Sequence, residues 1–313
     1  MATVLADIGG THARFAMLES GKIVNPKKLS VDDFKDIQSA LQSYCGKPCT
    51  LMIATAAQPD NCNMWRITNN KKWIIDPALL NNAGWDVKIL INDFAASARG
   101  ALVSEKLVVL REGYADEQNP RAVIGPGTGL GLAYMTPAPG GNWHIQQTFG
   151  GHMKAAMLTS EQHAIANLVQ QLHGDNHVII YEDLASGRAL PLLYRAICLH
   201  NGAEPVVTET KDMLNRASDA NVKQALRLFH EFLGLFAHNV VVTGHAFGGL
   251  YIDGGVTHRL FESGLFDFES FAKFMAPNVT RIVKERLEST PVFIVNDPFV
   301  ALRGLAEMAK NGT

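Results

Sequence analysis

Thr3-Val4-Leu5-Ala6-Asp7-Ile8-Gly9-Gly10-Thr11 is an apolar run that closes on a carboxylate and breaks into two glycines and a hydroxyl. Residues 3–8 read as a buried strand and Gly9-Gly10 as its turn. Ala13 to Leu18 and then Lys22 to Val24, joined across Ser20-Gly21, read as a hairpin, because two apolar runs flank a turn signal. The same pattern recurs further along. Ala122 to Ile124 reads as a strand, Gly125-Pro126-Gly127-Thr128-Gly129 as a turn, Leu130 to Met135 as the return strand and Trp143 to Gln147 as a third strand. A strand that runs into a Gly/Thr turn and returns as a hairpin thus occurs twice, which predicts two similar units with Gly9-Gly10-Thr11 and Gly127-Thr128-Gly129 in equivalent positions.

Between the two copies the pattern changes period. A helix is expected from Asp33 to about Tyr44, with Ser30 and Asp33 spaced as a capping box and Phe34, Ile37, Leu41 and Tyr44 on one face. Leu51 to Ala54 reads as a strand, Pro77 to Asn82 as a short helix, Val87 to Ile91 as a strand and Phe94 to Val103 as an Ala-rich helix. Parallel crossovers after an antiparallel start define a mixed sheet in an α/β fold. Later come helices from Ser160 to Leu172, capped by Thr159 and Gln162, and from Val222 to about Val241. Strands at Leu250 to Ile252 and Pro291 to Val295 precede a closing helix from Phe299 to Lys310. The junction between the halves is expected in the polar stretch Gly113 to Arg121.

Composition narrows the function class. With 313 residues the chain is long for one hydrophobic core, and 47% hydrophobic with 19% charged residues is a globular balance. No window approaches the roughly 18 continuous apolar residues of a membrane span, and no basic region precedes an apolar run at the N-terminus, so neither a membrane partner nor a signal peptide is expected. A net charge of −2 without a basic block disfavours nucleic acid. Cys45, Cys49, Cys62 and Cys198 are scattered, which reads as reduced thiols in a cytoplasmic protein.

Several residues could carry chemistry. In Asp7-Ile8-Gly9-Gly10-Thr11 the glycines let backbone N–H groups approach phosphate oxygens, Thr11 adds a hydroxyl, and Asp7 can hold Mg²⁺ through water. A ligand-free hairpin turn is the competing reading of that stretch. Gly125 to Gly131 repeats the arrangement without the Gly-Lys-Ser/Thr of a P-loop and without opening a helix as a dinucleotide fingerprint does. Gly248-Gly249 and Gly254-Gly255 bracket the strand Leu250 to Ile252, where adenine or ribose could lie against backbone. Asn92-Asp93 follows a strand and opens a helix, where α/β sheets expose ligand-binding residues, although a helix cap is the common alternative. His152 after Gly150-Gly151 and Glu182 before Ser186-Gly187 are polar residues beside turns.

Taken in order, Leu5 to Arg14, Ile91 to Phe94, Gly125 to Gly131, Gly150 to His152, Glu182 with Ser186-Gly187, Ile252 to Val256 and Pro291 to Val295 resemble the bacterial glucokinase family over nearly the whole chain. That family belongs to the hexokinase and actin-like ATPase group. The resemblance implies a two-lobed actin-like ATPase (ribonuclease H-like) fold with duplicated mixed β-sheets, residues 1–110 and 296–313 forming a small lobe and 111–295 a large one. It implies ATP and Mg²⁺ as cofactors, a hexose, most simply glucose, as substrate, and Asp93 as the base that takes the proton of the sugar 6-hydroxyl. By the same resemblance Asn92, Gly151, His152 and Glu182 hold the sugar. Asp7, Gly9, Gly10 and Thr11 form the first phosphate turn with its Mg²⁺ region, Gly127, Thr128 and Gly129 the second, and Gly254 and Gly255 the adenosine-side turn. A homodimer is compatible with this reading.

Two residues depart from the family pattern. His12 stands where the family has Asn, and Phe149 stands where it has a sugar-binding Glu. The second change removes a ligand, so a kinase for another hexose or an amino sugar is one alternative. A non-catalytic sugar-binding or regulatory protein is another, and the retained Asp93 argues against it, since a pure binder needs no base.

Overall fold

The computed structural model describes residues 2–67, 73–114, 116–174 and 176–310. Its contacts divide the chain into two units, Met1–Lys106 with Ile145–Gln147 and Asp297–Thr313, and Leu107–His144 with Thr148–Asn296. The first unit opens with strands β1 (Thr3–Ile8), β2 (His12–Glu19) and β3 (Lys22–Ser30), followed by helix α1 (Ile37–Cys45) and strand β4 (Thr50–Thr55). A two-residue ladder of β5 (Trp65–Arg66) and β6 (Ile74–Ile75), helix α2 (Pro77–Asn82), strand β7 (Asp86–Asn92) and helix α3 (Asp93–Ala101) complete its N-terminal part. The main sheet runs β3-β2-β1-β4-β7. β1 is antiparallel to β2 and parallel to β4, and β4 is parallel to β7.

β1 reads as an unbroken apolar run because both of its faces are covered. Val4, Ala6 and Ile8 point into a cluster with Leu41, Leu51, Ile53 and Trp73, while Leu5 points into a second cluster with Met52, Ile89, Ala96 and Leu302. This is the period-2 alternation of a strand. β3, by contrast, is an edge strand with exposed Lys27 and Lys28 and with Pro26 inside it. Charge and proline are what a sheet edge tolerates.

The second unit contains β8 (Leu107–Arg111), β9 (Arg121–Pro126), β10 (Leu130–Ala138), β11 (Asn142–Thr148), α4 (Ser160–His173), α5 (Ala189–His200), α6 (Thr210–Leu214) and α7 (Ala220–Thr243). It continues through β12 (Leu250–Ile252), α8 (Gly255–Glu262), α9 (Phe268–Met275), α10 (Arg281–Ser289) and β13 (Val292–Val295). The chain then returns to the first unit as α11 (Val300–Lys310). The second sheet runs β11-β10-β9-β12-β13-β8. β9 is antiparallel to β10 and parallel to β12, and β12 is parallel to β13. Its first five strands therefore repeat the order of the first sheet, and antiparallel β8 is added at the edge. Helix α7 is buried without a break from Leu228 to Ala237 and packs against α5 and α9, which makes it a core helix rather than a surface one.

Two sequence expectations are corrected here. The helix expected from Asp33 begins at Ile37, because Val31–Asp33 forms a 3-10 turn and Phe34 is extended. Ser30 makes no side-chain cap bond. The box is formed instead by Asp36, whose Oδ1 accepts the Ser39 N–H at 2.8 Å, while Ser39 Oγ accepts the Asp36 N–H at 3.1 Å. The second is β3, which runs on past the expected Val24 to Ser30. The other expected elements lie within a few residues of their observed bounds, and α4 carries the expected Thr159–Gln162 box. No helix among the described residues is long and apolar enough to cross a membrane.

Candidate active site

In the first unit three parallel strands end level with one another. Ile8 pairs with Thr55 across β1 and β4, and Thr55 with Asn92 across β4 and β7. Parallel neighbours lie about 4.8 Å apart, so the Gly9-Gly10-Thr11 turn and the Asn92-Asp93 step stand roughly 10 Å apart on the carboxyl edge of one sheet. That edge is where α/β sheets bind ligands. The β1–β2 register puts Arg14 opposite Asp7, and Arg14 Nη1 donates to Asp7 Oδ2 at 2.9 Å. Asp7 is a hard oxygen donor with one oxygen already bonded to a guanidinium, which fits contact with Mg²⁺ through water rather than direct ligation. Gly9 N–H is engaged by the His12 carbonyl at 3.0 Å, and the Val31 N–H donates to the Thr11 carbonyl.

Asn92, not Asp93, caps α3. Asn92 Oδ1 accepts the Phe94 N–H at 3.0 Å, and Asn92 Nδ2 donates to the Ala57 carbonyl at 3.4 Å. Asp93 is the first residue of the helix, half-buried, with Oδ1 accepting the Phe94 N–H at 2.9 Å. Its carboxylate lies at the positive end of the helix, where an anion is favoured.

In the second unit the expected residues converge on the β9–β10 turn. The Gly127 N–H donates to the Gly129 carbonyl at 2.9 Å, which closes the turn, and the Gly187 N–H donates to the Gly127 carbonyl at 2.8 Å. Gly254 has φ +107° and lies against Pro126; a Cβ there would stand 2.7 Å from the Pro126 carbonyl oxygen, so only glycine fits. Gly255 then opens α8. The Gly254-Gly255 step is thus a helix N-terminus laid beside the β9–β10 turn, a backbone arrangement suited to anions. Just before it, Asp253 is buried and its Oδ1 lies 3.4 Å from His258 Nε2, which also donates to the Val295 carbonyl at 2.6 Å. Burial pushes the His258 imidazole down, and the bond and charge of Asp253 with the Val295 carbonyl outweigh it, so its pKa is raised.

The residues expected to hold the sugar include two that are tied to the same turn. Gly151 packs so closely that a Cβ would stand 2.1 Å from the Leu130 carbonyl oxygen. His152 is exposed, and its ring meets that of Phe149 edge-on at 5.9 Å. Phe149 itself is 68% exposed, too much for a core residue. Glu182 is bound on both oxygens: Oε2 accepts the Leu130 N–H at 2.8 Å and Oε1 accepts from Arg188 Nη2 at 2.6 Å. Arg188 Nε donates in turn to the Thr128 carbonyl at 3.1 Å. Sequence reading missed Arg188. The available signal was a basic residue directly after Ser186-Gly187, since an arginine beside a glycine turn is a phosphate-site composition.

Comparison with known proteins gives the family and the fold. The Glucokinase family profile matches residues 4–312. A glucokinase of Saccharophagus degradans is 31% identical over 318 residues, covering 97% of this chain and 96% of that protein. The crystal structure of a glucokinase from an Antarctic psychrotroph superposes with a TM-score of 0.80 at 26% identity over 99% of each chain. A ROK family glucokinase from Streptomyces griseus, in complex with glucose and AMPPNP, shares the fold with a TM-score of 0.64 at 17% identity, covering all of both chains. The duplicated mixed sheets are those of an α/β sugar kinase with the actin-like ATPase fold, as the sequence led us to expect. The chain belongs to the glucokinase family.

Proposed function

We propose that the protein transfers the γ-phosphoryl group of ATP to the 6-hydroxyl of glucose, with Asp93 as general base. The observation that carries this reading is the placement of Asp93 and the Gly9-Gly10-Thr11 turn on the carboxyl edge of the same sheet. The sugar O6 attacks the γ-phosphorus, its proton passes to the Asp93 carboxylate, and the bond from phosphorus to the ADP oxygen breaks. Products are the sugar 6-phosphate, ADP and a proton. Phosphoryl transfer requires little covalent help, so the chain's work is positioning and charge stabilisation.

Gly9, Gly10 and Thr11 with Gly127, Thr128 and Gly129 would cradle the phosphates, and Gly254 and Gly255 the nucleotide side. Asp7 would hold Mg²⁺ through water, and the ion when bound would supply charge neutralisation for the transferred phosphoryl group. Asn92, Gly151, His152 and Glu182 would orient the sugar. Arg188 fixes the Glu182 carboxylate and ties it to the Thr128 carbonyl, so the sugar ligand and the second phosphate turn are set by one side chain. A second reading, a hexose or amino sugar other than glucose, is favoured by exposed Phe149 at a position where glutamate is expected.

Purified protein supplied with Mg-ATP and a panel of hexoses and hexosamines tests both readings by coupled ADP release, with phosphorus NMR of the product. Glucose 6-phosphate is expected. A different sugar phosphate selects the second reading, and no sugar phosphate from any of them rejects the kinase.

A further inference from the structure

Outside the residues assigned to phosphoryl transfer, the described part of the chain holds one cluster with the donors of a metal site, His173, His177 and Asp183. His173 closes α4, Gly174 ends that helix with φ +120°, and the chain then passes His177 into the 3-10 turn Tyr181–Asp183. This path brings two imidazoles to one carboxylate. His177 Nε2 lies 2.7 Å from Asp183 Oδ2 and His173 Nε2 lies 3.6 Å from Oδ1. The two rings are stacked, centroids 4.4 Å apart and planes 24° apart, so both Nε2 atoms address the same carboxylate. Asp183 is oriented in turn by the Ile180 N–H at 3.0 Å, and the His177 carbonyl is held by Gln170 Nε2 at 2.8 Å. The three side chains are 30%, 34% and 12% exposed, which leaves an approach from solvent.

We propose that His173, His177 and Asp183 form a transition-metal site of the zinc class, with its remaining coordination positions taken by water. In the tetrahedral arrangement of a zinc site, two ligands at the usual 2.0–2.1 Å from the ion stand about 3.4 Å apart. The three donor atoms already lie within 4.8 Å of one another, so closure asks for side-chain adjustments on the order of 1–1.5 Å. Two imidazoles and a carboxylate select zinc, nickel, cobalt or copper over magnesium, so the Mg²⁺ that accompanies ATP does not compete. Without metal the His177 Nε2–H bonds Asp183, and His173 Nε2, 3.6 Å from Oδ1, stands beyond hydrogen-bond reach of it. With metal the proton moves to Nδ1, and Nε2 becomes the ligand. The ion would clamp the end of α4 to the turn that carries Glu182, the residue before Asp183.

The test is zinc titration of the metal-stripped full chain by calorimetry in excess Mg²⁺, with Co²⁺ absorption as a report of ligand type. One ion per chain is expected, with a d–d spectrum free of thiolate charge transfer and with thermal stability that rises with zinc. His173→Ala and His177→Ala should each weaken binding by at least about tenfold, since even partners behind the ligands of a metal site are worth 10- to 100-fold. His173 lies at an exposed helix end, so its variant keeps the test valid should His177→Ala fold poorly. Because Cys45 and Cys49 are neighbouring thiols, the Cys45→Ser, Cys49→Ser double variant is the control, and it should bind zinc as the wild type does. Absence of stoichiometric zinc, equal affinity in His173→Ala, or loss of binding in the cysteine variant overturns the proposal.

Discussion

Phe149 is the residue at which the proposed chemistry and the family pattern part. A glutamate there would accept hydrogen bonds from sugar hydroxyls, whereas an exposed phenyl ring offers no acceptor. Glu182 does not replace it, since Glu182 is already one of the proposed sugar ligands, oriented by the Leu130 N–H and Arg188. Nor does Gln147, whose Nε2 donates to Gln58 Oε1 at 3.0 Å. A hydrogen bond to a charged group is worth about 1.5–3 kcal/mol, at least roughly tenfold in affinity. Phe149→Glu is therefore expected to lower the glucose KM by about tenfold or more with a smaller change in kcat, measured by steady-state kinetics. An unchanged KM would place Phe149 outside the sugar contacts. A second residue-scale prediction concerns His230, fully buried in α7, where Nδ1–H donates to the Leu226 carbonyl at 2.7 Å and Nε2 accepts the Asp267 N–H at 3.3 Å. These partners fix a neutral ring. Burial pushes its pKa from 6.5 down to about 4, although the Leu226 carbonyl and Asp267 act to raise it. The unfolded chain takes up a proton below pH 6.5 that the folded chain refuses, so stability falls as pH drops from about 6.5 to about 4. The loss through this group is on the order of 3 kcal/mol. Urea unfolding across that range should show it, and His230→Leu should flatten the slope. An equal slope in the variant would assign the acid sensitivity elsewhere.

At the scale of elements, the packing of α11 on α3 positions the proposed base. Gly100 of α3 and Gly304 of α11 meet the opposite helix so closely that a Cβ would stand 1.9 Å from the Val300 carbonyl oxygen in one case and 1.9 Å from that of Ala96 in the other. Small residues are therefore what let the two backbones touch. In an exposed helix Gly→Ala stabilises by up to about 1 kcal/mol, but here overpacking should dominate, at about 1–3 kcal/mol or more. Gly100→Ala should lower the unfolding free energy and also reduce kcat, because α3 begins at Asp93. A variant as stable as the wild type would show that the helices separate without cost. The same scale shows what the sequence could convey. α4 was legible because Thr159 and Gln162 mark its start and its apolar spacing is regular. α1 was misplaced because Ser30 and Asp33 also have capping-box spacing, and only the extended backbone at Phe34 distinguishes them from Asp36 and Ser39. β3 was cut short at Val24 because its apolar run ends there, whereas the strand continues as an edge through Pro26, where a proline removes no needed donor.

For the molecule as a whole, the duplication was legible because each copy announces itself by a strand, a glycine turn and a hairpin, and the two sheets repeat one strand order. The candidate site was legible only in part. Asp93 and the glycine turns sit at strand ends, a position that sequence order conveys. The partners of Glu182 were hidden, because the bonds to Leu130 and Arg188 join residues that only the fold of the second unit brings together. The opening of α8 at Gly255 was hidden too, because Gly254-Gly255 reads as a strand-end turn until its φ of +107° is seen at Gly254. The most direct measurement of the central claim compares Asp93→Asn with wild type in three readouts: kcat with Mg-ATP and the preferred hexose, calorimetric sugar affinity, and thermal unfolding. The substitution keeps shape and removes the proton acceptor, at a cost to the helix N-terminus of no more than about 1 kcal/mol. We predict that kcat falls by about 10²- to 10⁴-fold while sugar affinity and folding are retained. A variant with near wild-type kcat would contradict the account and leave Asp93 as no more than the first residue of a helix.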